Sequence, residues 1–291
     1  MSNTVRITSL LENTAGRQGT LGEPGLALWL ETKDHCALFD TGASGAIVSN
    51  AKALGVDLSQ TDAVVLSHGH YDHTGGLSRV LPLAPKAGVF CHPGAFAQKF
   101  ARNKDGTSRY IGMSPQNKKS VRETAKELVH TREPTHIGHG FWVTGEIPRL
   151  EKSDDDFFLD ESCAIPDPMR DDQALYFDST HGIVVLLGCA HAGVGNTLRQ
   201  ISQLTNGKPI HAVLGGMHLR HSTGDEIQQT IETFRNLGLN YLAPAHCTGM
   251  PATAALWAAF PGKCHSFSVG TSVEFELYQS VSFTSSRGES V

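Results

Sequence analysis

The chain has no excess of positive charge, no long apolar run and no paired cysteines, and each absence narrows what it can do. Its 24 Lys and Arg face 29 Asp and Glu, for a formal charge of −5. Nothing global therefore marks a nucleic-acid binder, which would carry a basic excess. No stretch of about 18 uninterrupted apolar residues occurs, so neither a membrane span nor a membrane partner is expected. The opening "MSNTVRITSLLENTAG" lacks a positive stretch followed by a long apolar run. No secretory signal is expected from it, and the expected location is the cytoplasm. The six cysteines are scattered and form no CxxC pair, as free thiols in a reducing compartment would be. A P-loop, a dinucleotide fingerprint and HExxH are also missing. "GCAHAG" lacks the serine of GxSxG, and "TGASG" is only a turn. Internal repeats and low-complexity linkers are absent.

What is there is a chain of 291 residues, 40% of them hydrophobic, enough for a substantial core. "TVRITSLLEN", "GLALWLE" and "HCALFDTG" are short, apolar-rich and read as strands. "GAIVSNAKALGV" has helical spacing and stops at a glycine. "TDAVVLSHGH" is a buried-type strand over residues 63–66. Further on, "AGVFCH", "GIVVLLGCAH", "IHAVLGG", "NYLAPAHC" and "TSVEFEL" read as strands, while "VGNTLRQISQLT" and "DEIQQTIETFRNLG" read as helices. The alternation predicts an α/β layered fold. We expect one domain over residues 1–283 and a frayed tail at 284–291.

Residues 96–170 break the pattern and read as an irregular, locally basic insertion. Lys99, Arg102, Lys104, Arg109, Lys118, Lys119 and Arg122 lie close together there, with Asp105 the one acid among residues 99–122. Two readings stay open: a solvated surface, or a cap over a site that attracts an anionic small molecule. Arg149, in "TGEIPR", adds a bidentate donor suited to phosphate or carboxylate. Arg109, Lys118, Lys119 and Arg149 are the candidate substrate-binding cations.

"LSHGHYDHTGGL" carries the densest chemistry. His68, His70, Asp72 and His73 follow a buried strand directly. On a loop, alternate positions can point the same way, so His68 and His70 can grip one ion while Asp72 and His73 turn towards a second. Imidazole suits zinc and its neighbours, and the carboxylate adds a hard ligand. A polar loop with coincidental histidines is the bland alternative. Three later strands also end in histidines: Cys189 and His191, then His218 and His221, then His246 and Cys247. Together these favour a metal site.

HxHxDH after a strand, preceded by "LFDTG" and followed by strand-end histidines, resembles the metallo-β-lactamase superfamily. The likeness spans about residues 7–275. "TGEIPR", "GCAHAG", "GGMHL" and "AHCTG" resemble its dihydropteroate-synthase-like subgroup. The resemblance implies a four-layer αββα sandwich with two divalent metal ions, zinc first, manganese or iron as alternatives. By position it implies His68, His70 and His191 on the first ion, and Asp72, His73 and His246 on the second, with Asp40 orienting the loop. His92 rivals His191 as the third ligand of the first site. Cys189 stands where many hydrolytic relatives have a bridging aspartate. It is either a further ligand or a buried thiol.

The expected activity is hydrolysis of a small phosphorylated or carboxylated substrate by a metal-activated hydroxide, with Asp72 or His218 handling protons and His218 also touching substrate. The alternatives are transfer of a pterinylmethyl group to a ribofuranosylaminobenzene phosphate-like acceptor, and a non-catalytic metal-binding or di-iron redox role. A homodimer is compatible with the sequence.

Overall fold

Along Ala27–Glu31, Leu28 and Leu30 point into one apolar cluster and Ala27 and Trp29 into another. A period-two strand with apolar residues on both faces must be covered on both sides. The same holds for Gly182–Leu187, where Val184 and Leu186 face one way and Val185 and Leu187 the other. Two such sheets stacked face to face, each with helices outside, satisfy all four surfaces.

The structure, a computed structural model, describes residues 3–149 and 157–278. The first strands are β1 (Thr4–Leu11), β2 (Ala27–Glu31), β3 (Cys36–Phe39), β4 (Ala63–Val65) and β5 (Gly88–Cys91). Helix α1 (Ala46–Leu54) and the single-turn helices α2 (Tyr71–Thr74) and α3 (Leu77–Val80) lie among them. There follow β6 (Phe100–Arg102), β7 (Ser108–Tyr110), α4 (Pro115–Thr124), β8 (Glu127–His130), β9 (Thr135–Gly138), β10 (Phe141–Val143) and β11 (Phe157–Phe158). The last part holds β12 (Leu175–Ser179), β13 (Gly182–Leu187), α5 (Val194–Leu204), β14 (Ile210–Gly216), α6 (Gly224–Leu237), β15 (Tyr241–Ala245), α7 (Met250–Ala259) and β16 (Ser272–Glu276).

Seven strands form one sheet in the order β16–β1–β2–β3–β4–β5–β8, and six form a second in the order β15–β14–β13–β12–β10–β9. Phe39, Phe141, Phe177, Leu186 and Leu214 meet between the sheets. Helices α1, α3 and α4 pack outside the first sheet, and α5, α6 and α7 outside the second. Each fully buried Leu or Phe contributes about 1.5–3 kcal/mol to this arrangement. The result is a four-layer αββα sandwich.

Residues 96–170 are not one irregular insertion. β8 edges the first sheet, β9 and β10 edge the second, and only β6, β7 and β11 form a small sheet of their own. These strands are two to four residues long, too short to show a period in a polar stretch. The expected tail at 284–291 lies outside the described residues.

β3, β4, β5 and β8 run parallel, as do β13, β14 and β15. Parallel strands of one sheet end on one edge, where α/β folds place their chemistry. Asp40 follows β3 directly, and His68, Cys189, His218 and His246 lie at the ends of β4, β13, β14 and β15.

Candidate metal centre

The strand ends that meet here are held in an uncommon backbone conformation. Asp40, Ala190, His218 and His246 have φ of 61, 56, 52 and 52°. Such left-handed geometry costs a non-glycine residue about 1–3 kcal/mol and persists where the surroundings over-determine it. The two sheets also come unusually close. A Cβ on Gly188 would stand 2.1 Å from Ser67 Oγ, so only glycine lets the end of β13 approach the end of β4.

Asp40, buried with no exposure, is the hub of a hydrogen-bond relay. Its Oδ1 accepts from Ser67 N at 2.7 Å, and its Oδ2 accepts from Ser67 Oγ at 2.6 Å and from His73 Nδ1 at 2.7 Å. Ser67 Oγ, having donated its proton, accepts from His68 Nδ1 at 2.9 Å. His246 is fixed independently. Asn13 Nδ2 donates to His246 O at 3.1 Å, which turns Asn13 Oδ1 to accept from His246 Nδ1 at 3.0 Å, and Glu12 Oε1 accepts from His246 N at 2.8 Å. In all three rings the proton therefore sits on Nδ1 and the lone pair on Nε2.

Those lone pairs converge. His73 Nε2 lies 3.2 Å from His246 Nε2 and 3.2 Å from Cys189 Sγ. His68 Nε2 lies 3.0 Å from His70 Nδ1, and His246 Nε2 lies 3.4 Å from Asp72 Oδ2. Four groups of donor atoms each fit within 4.8 Å: His68, His70 and His191; Asp72, His73 and His246; His68, His73 and Cys189; Cys189, His218 and Cys247. His70 Nε2 is buried and has no hydrogen-bond partner among the described residues. Facing lone pairs and a buried unsatisfied nitrogen are unfavourable unless a cation lies between them, so the residues fit a metal.

The electrostatics agree for three of the histidines. Burial pushes His70 down to about 3 and holds His68 and His191 well below the ordinary histidine value. They are neutral imidazoles, the form that ligates metal. His73 is the exception: burial opposes its charge, but the Asp40 and Asp72 carboxylates outweigh it and raise it to about 9, so without an ion its Nε2 also carries a proton, which a metal there would have to displace. Asp72 is held below the usual carboxylate range, burial notwithstanding, by His73 and His246. Burial and the neighbouring Cys247 raise the Cys189 thiol.

Behind His70 lies a buried ion cluster. Lys99 Nζ donates to Asp171 Oδ1 at 2.8 Å and Asp167 Oδ2 at 2.6 Å, while Asp171 Oδ2 accepts from Gly69 N at 2.7 Å. Gly69 joins His68 to His70, so this cluster holds the ligand loop from the rear. In front, the Phe157 ring stands 5.0 Å from His70 and 5.2 Å from His191.

The family model described as the metallo-β-lactamase superfamily matches residues 21–148. A solved structure, a metal-dependent hydrolase of the β-lactamase superfamily, is 31% identical; the match covers 92% of this chain and 98% of that one, with a TM-score of 0.79. The chain belongs to the metallo-β-lactamase superfamily. It is also similar to the 7,8-dihydropterin-6-methyl-4-(β-D-ribofuranosyl)-aminobenzene-5'-phosphate synthase of Methanocaldococcus jannaschii, at 26% identity over 289 residues, covering 93% of this chain and 97% of the relative. An uncharacterized protein of the same archaeon is 29% identical over 253 residues, covering 86% and 93%.

In this metallo-β-lactamase superfamily member the two ligand triads expected from sequence come together as groups, and Cys189 stands against His73. His92 does not join them. Its Nε2 faces Glu146 Oε1 at 3.0 Å and its Nδ1 accepts from Gly94 N at 3.0 Å. His218 borders the site, its ring 4.4 Å from that of His191, while His221 is exposed. Arg149 donates to His191 O at 2.7 Å and so braces a ligand loop. Lys99, counted among the surface cations, is buried in the ion cluster. Among the described residues, Arg109, Lys118 and Lys119 make no hydrogen bond or ion pair with the metal-site residues. Lys118 Nζ reaches Tyr110 Oη at 3.3 Å, and Lys119 pairs loosely with Glu123 at 3.9 Å. The segment that joins the Arg109 hairpin to α4, the helix carrying Lys118 and Lys119, nevertheless abuts the ligand loop: Tyr71 N donates to Ile111 O at 2.8 Å, and Gly112 forms a backbone bridge with His70.

Sequence reading missed Ser67, Asn13, Glu12 and Asp171 as parts of the site, and it placed Cys247 beside His246 at a strand end without giving it a role. Only Ser67 and Cys247, each beside a ligand histidine, carried a local signal. No helix among the described residues is long and apolar enough to cross a membrane.

Proposed function

We propose that this chain is a metal-dependent hydrolase acting on a small phosphorylated or carboxylated substrate. Two divalent ions are its cofactors, zinc first with manganese or iron as alternatives. The observation that carries this reading is the convergence of His68, His70 and His191 beside Asp72, His73 and His246, with the protons of His68, His73 and His246 fixed on the far nitrogens. Ions so held would acidify a bound water and polarise the bond under attack.

The chain's own residues do the rest. Asp40 and Asn13 hold the ligand rings in one tautomer and orientation. Cys189, 3.2 Å from His73 Nε2, is a further ligand. Asp72, kept ionised by His73 and His246, suits an anionic ligand better than a proton carrier, which leaves His218 at the rim to handle protons and meet substrate. Phe157 screens one side from water. Arg149 sits beside His191 O, and Arg109, Lys118 and Lys119 flank the segment that abuts the ligand loop, where they can draw an anion in.

A second reading, formation of a dihydropterin-6-methyl–aminobenzene bond, is favoured by the likeness to the archaeal synthase over nearly the whole length of both chains. The metals and ligands are the same in both readings. The test is turnover of a phosphodiester, a phosphomonoester and a lactone, with and without chelator, beside an assay joining an activated pterinylmethyl donor to an aminobenzene acceptor. Chelator-sensitive hydrolysis supports the first reading. Bond formation without hydrolysis replaces it with the second.

A further inference from the structure

Cys247 and His218 belong to neither ligand triad, yet they are not scattered. Their donor atoms and Cys189 Sγ lie within 4.8 Å of one another. Cys247 sits on the turn His246–Thr248 after β15, and His218 on the loop after β14. The two loops are laced together. His218 N donates to Cys247 Sγ at 3.2 Å, Met217 N to Thr248 Oγ1 at 3.1 Å, and Arg220 N to Cys247 O at 3.1 Å. Cys247 Sγ also lies 3.7 Å from Cys189 O. On its other side, a Cβ on Gly216 would come within 2.7 Å of Cys247 Sγ, so the sulfur is seated against bare backbone and has little freedom to turn away.

We propose that Cys189, His218 and Cys247 form a third, sulfur-rich subsite that takes a thiophilic divalent ion, such as cadmium, beside the histidine–carboxylate centre. A tetrahedral ion with metal–sulfur bonds of about 2.3 Å and a metal–nitrogen bond of about 2.0 Å sets its ligand atoms roughly 3.5–3.8 Å apart. The donor atoms already lie within 4.8 Å of one another, so an adjustment of about 1 Å or less brings them to that spacing. Two sulfurs and one imidazole prefer soft ions, whereas the neighbouring histidines and Asp72 suit harder ones. The two places therefore differ in selectivity although Cys189 touches both. Cys247 and His218 are only half-buried, so an ion can reach them from the site's mouth. The subsite goes beyond the proposed reaction and does not depend on it.

The experiment is titration of the full-length, metal-depleted protein with cadmium, followed by thiolate-to-metal charge-transfer absorption. Cys247→Ser should lose about half the band, one of two thiolates, and His70→Ala, which damages only the neighbouring centre, should keep it. As a check that needs no variant, alkylation of the wild-type protein with and without cadmium is read by mass spectrometry. Cadmium should protect Cys247 and leave the half-buried Cys264 labelled as before. An undiminished band in Cys247→Ser, or equal labelling of Cys247 with and without cadmium, overturns the subsite. Loss of the band in His70→Ala with Cys247 still unprotected would place the bound ion at the first triad and overturn it equally.

Discussion

Asp40 Oδ2 accepts a hydrogen bond from His73 Nδ1 at 2.7 Å, with both side chains fully buried. The same oxygen accepts from Ser67 Oγ, which in turn accepts from His68 Nδ1. One carboxylate thus orients a histidine of each proposed metal site. Asp40→Asn keeps the shape but removes the charge, and its amide, with one acceptor oxygen, can no longer accept from all three donors, Ser67 N, Ser67 Oγ and His73 Nδ1. Metal affinity should fall by about 10–100-fold while circular dichroism stays native. Competition with a chelator of known affinity measures this, and an unchanged affinity would remove Asp40 from the account.

Cys189 is expected to be a ligand. Its sulfur is 3.2 Å from His73 Nε2 and is grouped with His68 as well. Cys189→Ser replaces a soft donor by a weak hydroxyl and should lower both metal content and any chelator-sensitive activity. Metal content is to be read beside melting temperature. Full metal content with only a lowered melting point would make Cys189 a packing residue.

Lys99 bridges Asp167 and Asp171 with all three side chains buried. Lys99→Met leaves two carboxylates without a counter-charge and should cost about 3–5 kcal/mol in denaturant unfolding. Changing Asp167 and Asp171 to Asn in the same chain should recover part of it. Burial opposes ionisation of Asp171, but Lys99 outweighs it and the folded carboxyl is held below its ordinary value. Its contribution is therefore complete above the ordinary carboxylate pKa and is lost as pH falls through the lowered folded value. The wild type should lose stability over that acid window, and the triple variant should lose less.

The basic run offers a kinetic test. Replacing Arg109, Lys118 and Lys119 with neutral residues should raise KM for an anionic substrate several-fold and flatten its dependence on salt. An uncharged analogue should be little affected. Equal effects on both substrates would leave the run a solvated face.

The ligand loop was legible because a buried strand ran straight into His68, and His191, His218 and His246 were legible for the same reason at three later strands. The relay behind them was not. Asn13 reaches His246 across 233 positions and Lys99 reaches Asp171 across 72, and contacts at such separations leave no local pattern. Lys99 looked like its exposed neighbours because a lysine's burial depends on which acids the fold brings to it. Residues 135–138 and 141–143 looked irregular because strands of four and three residues are too short for alternation to register. His92 looked like a ligand because it too follows a strand, but Glu146, 54 positions on, claims its ring.

The most direct test of the central claim is the metal-to-chain ratio of protein purified without added metal, measured by elemental analysis before and after reloading with zinc or manganese. The account predicts about two tightly held ions per chain, falling to one in Asp72→Ala because His68, His70 and His191 keep theirs. A third ion is predicted only when a thiophilic metal is supplied in excess. Less than half an equivalent in the wild type, not restored by adding either metal to folded protein, would contradict it.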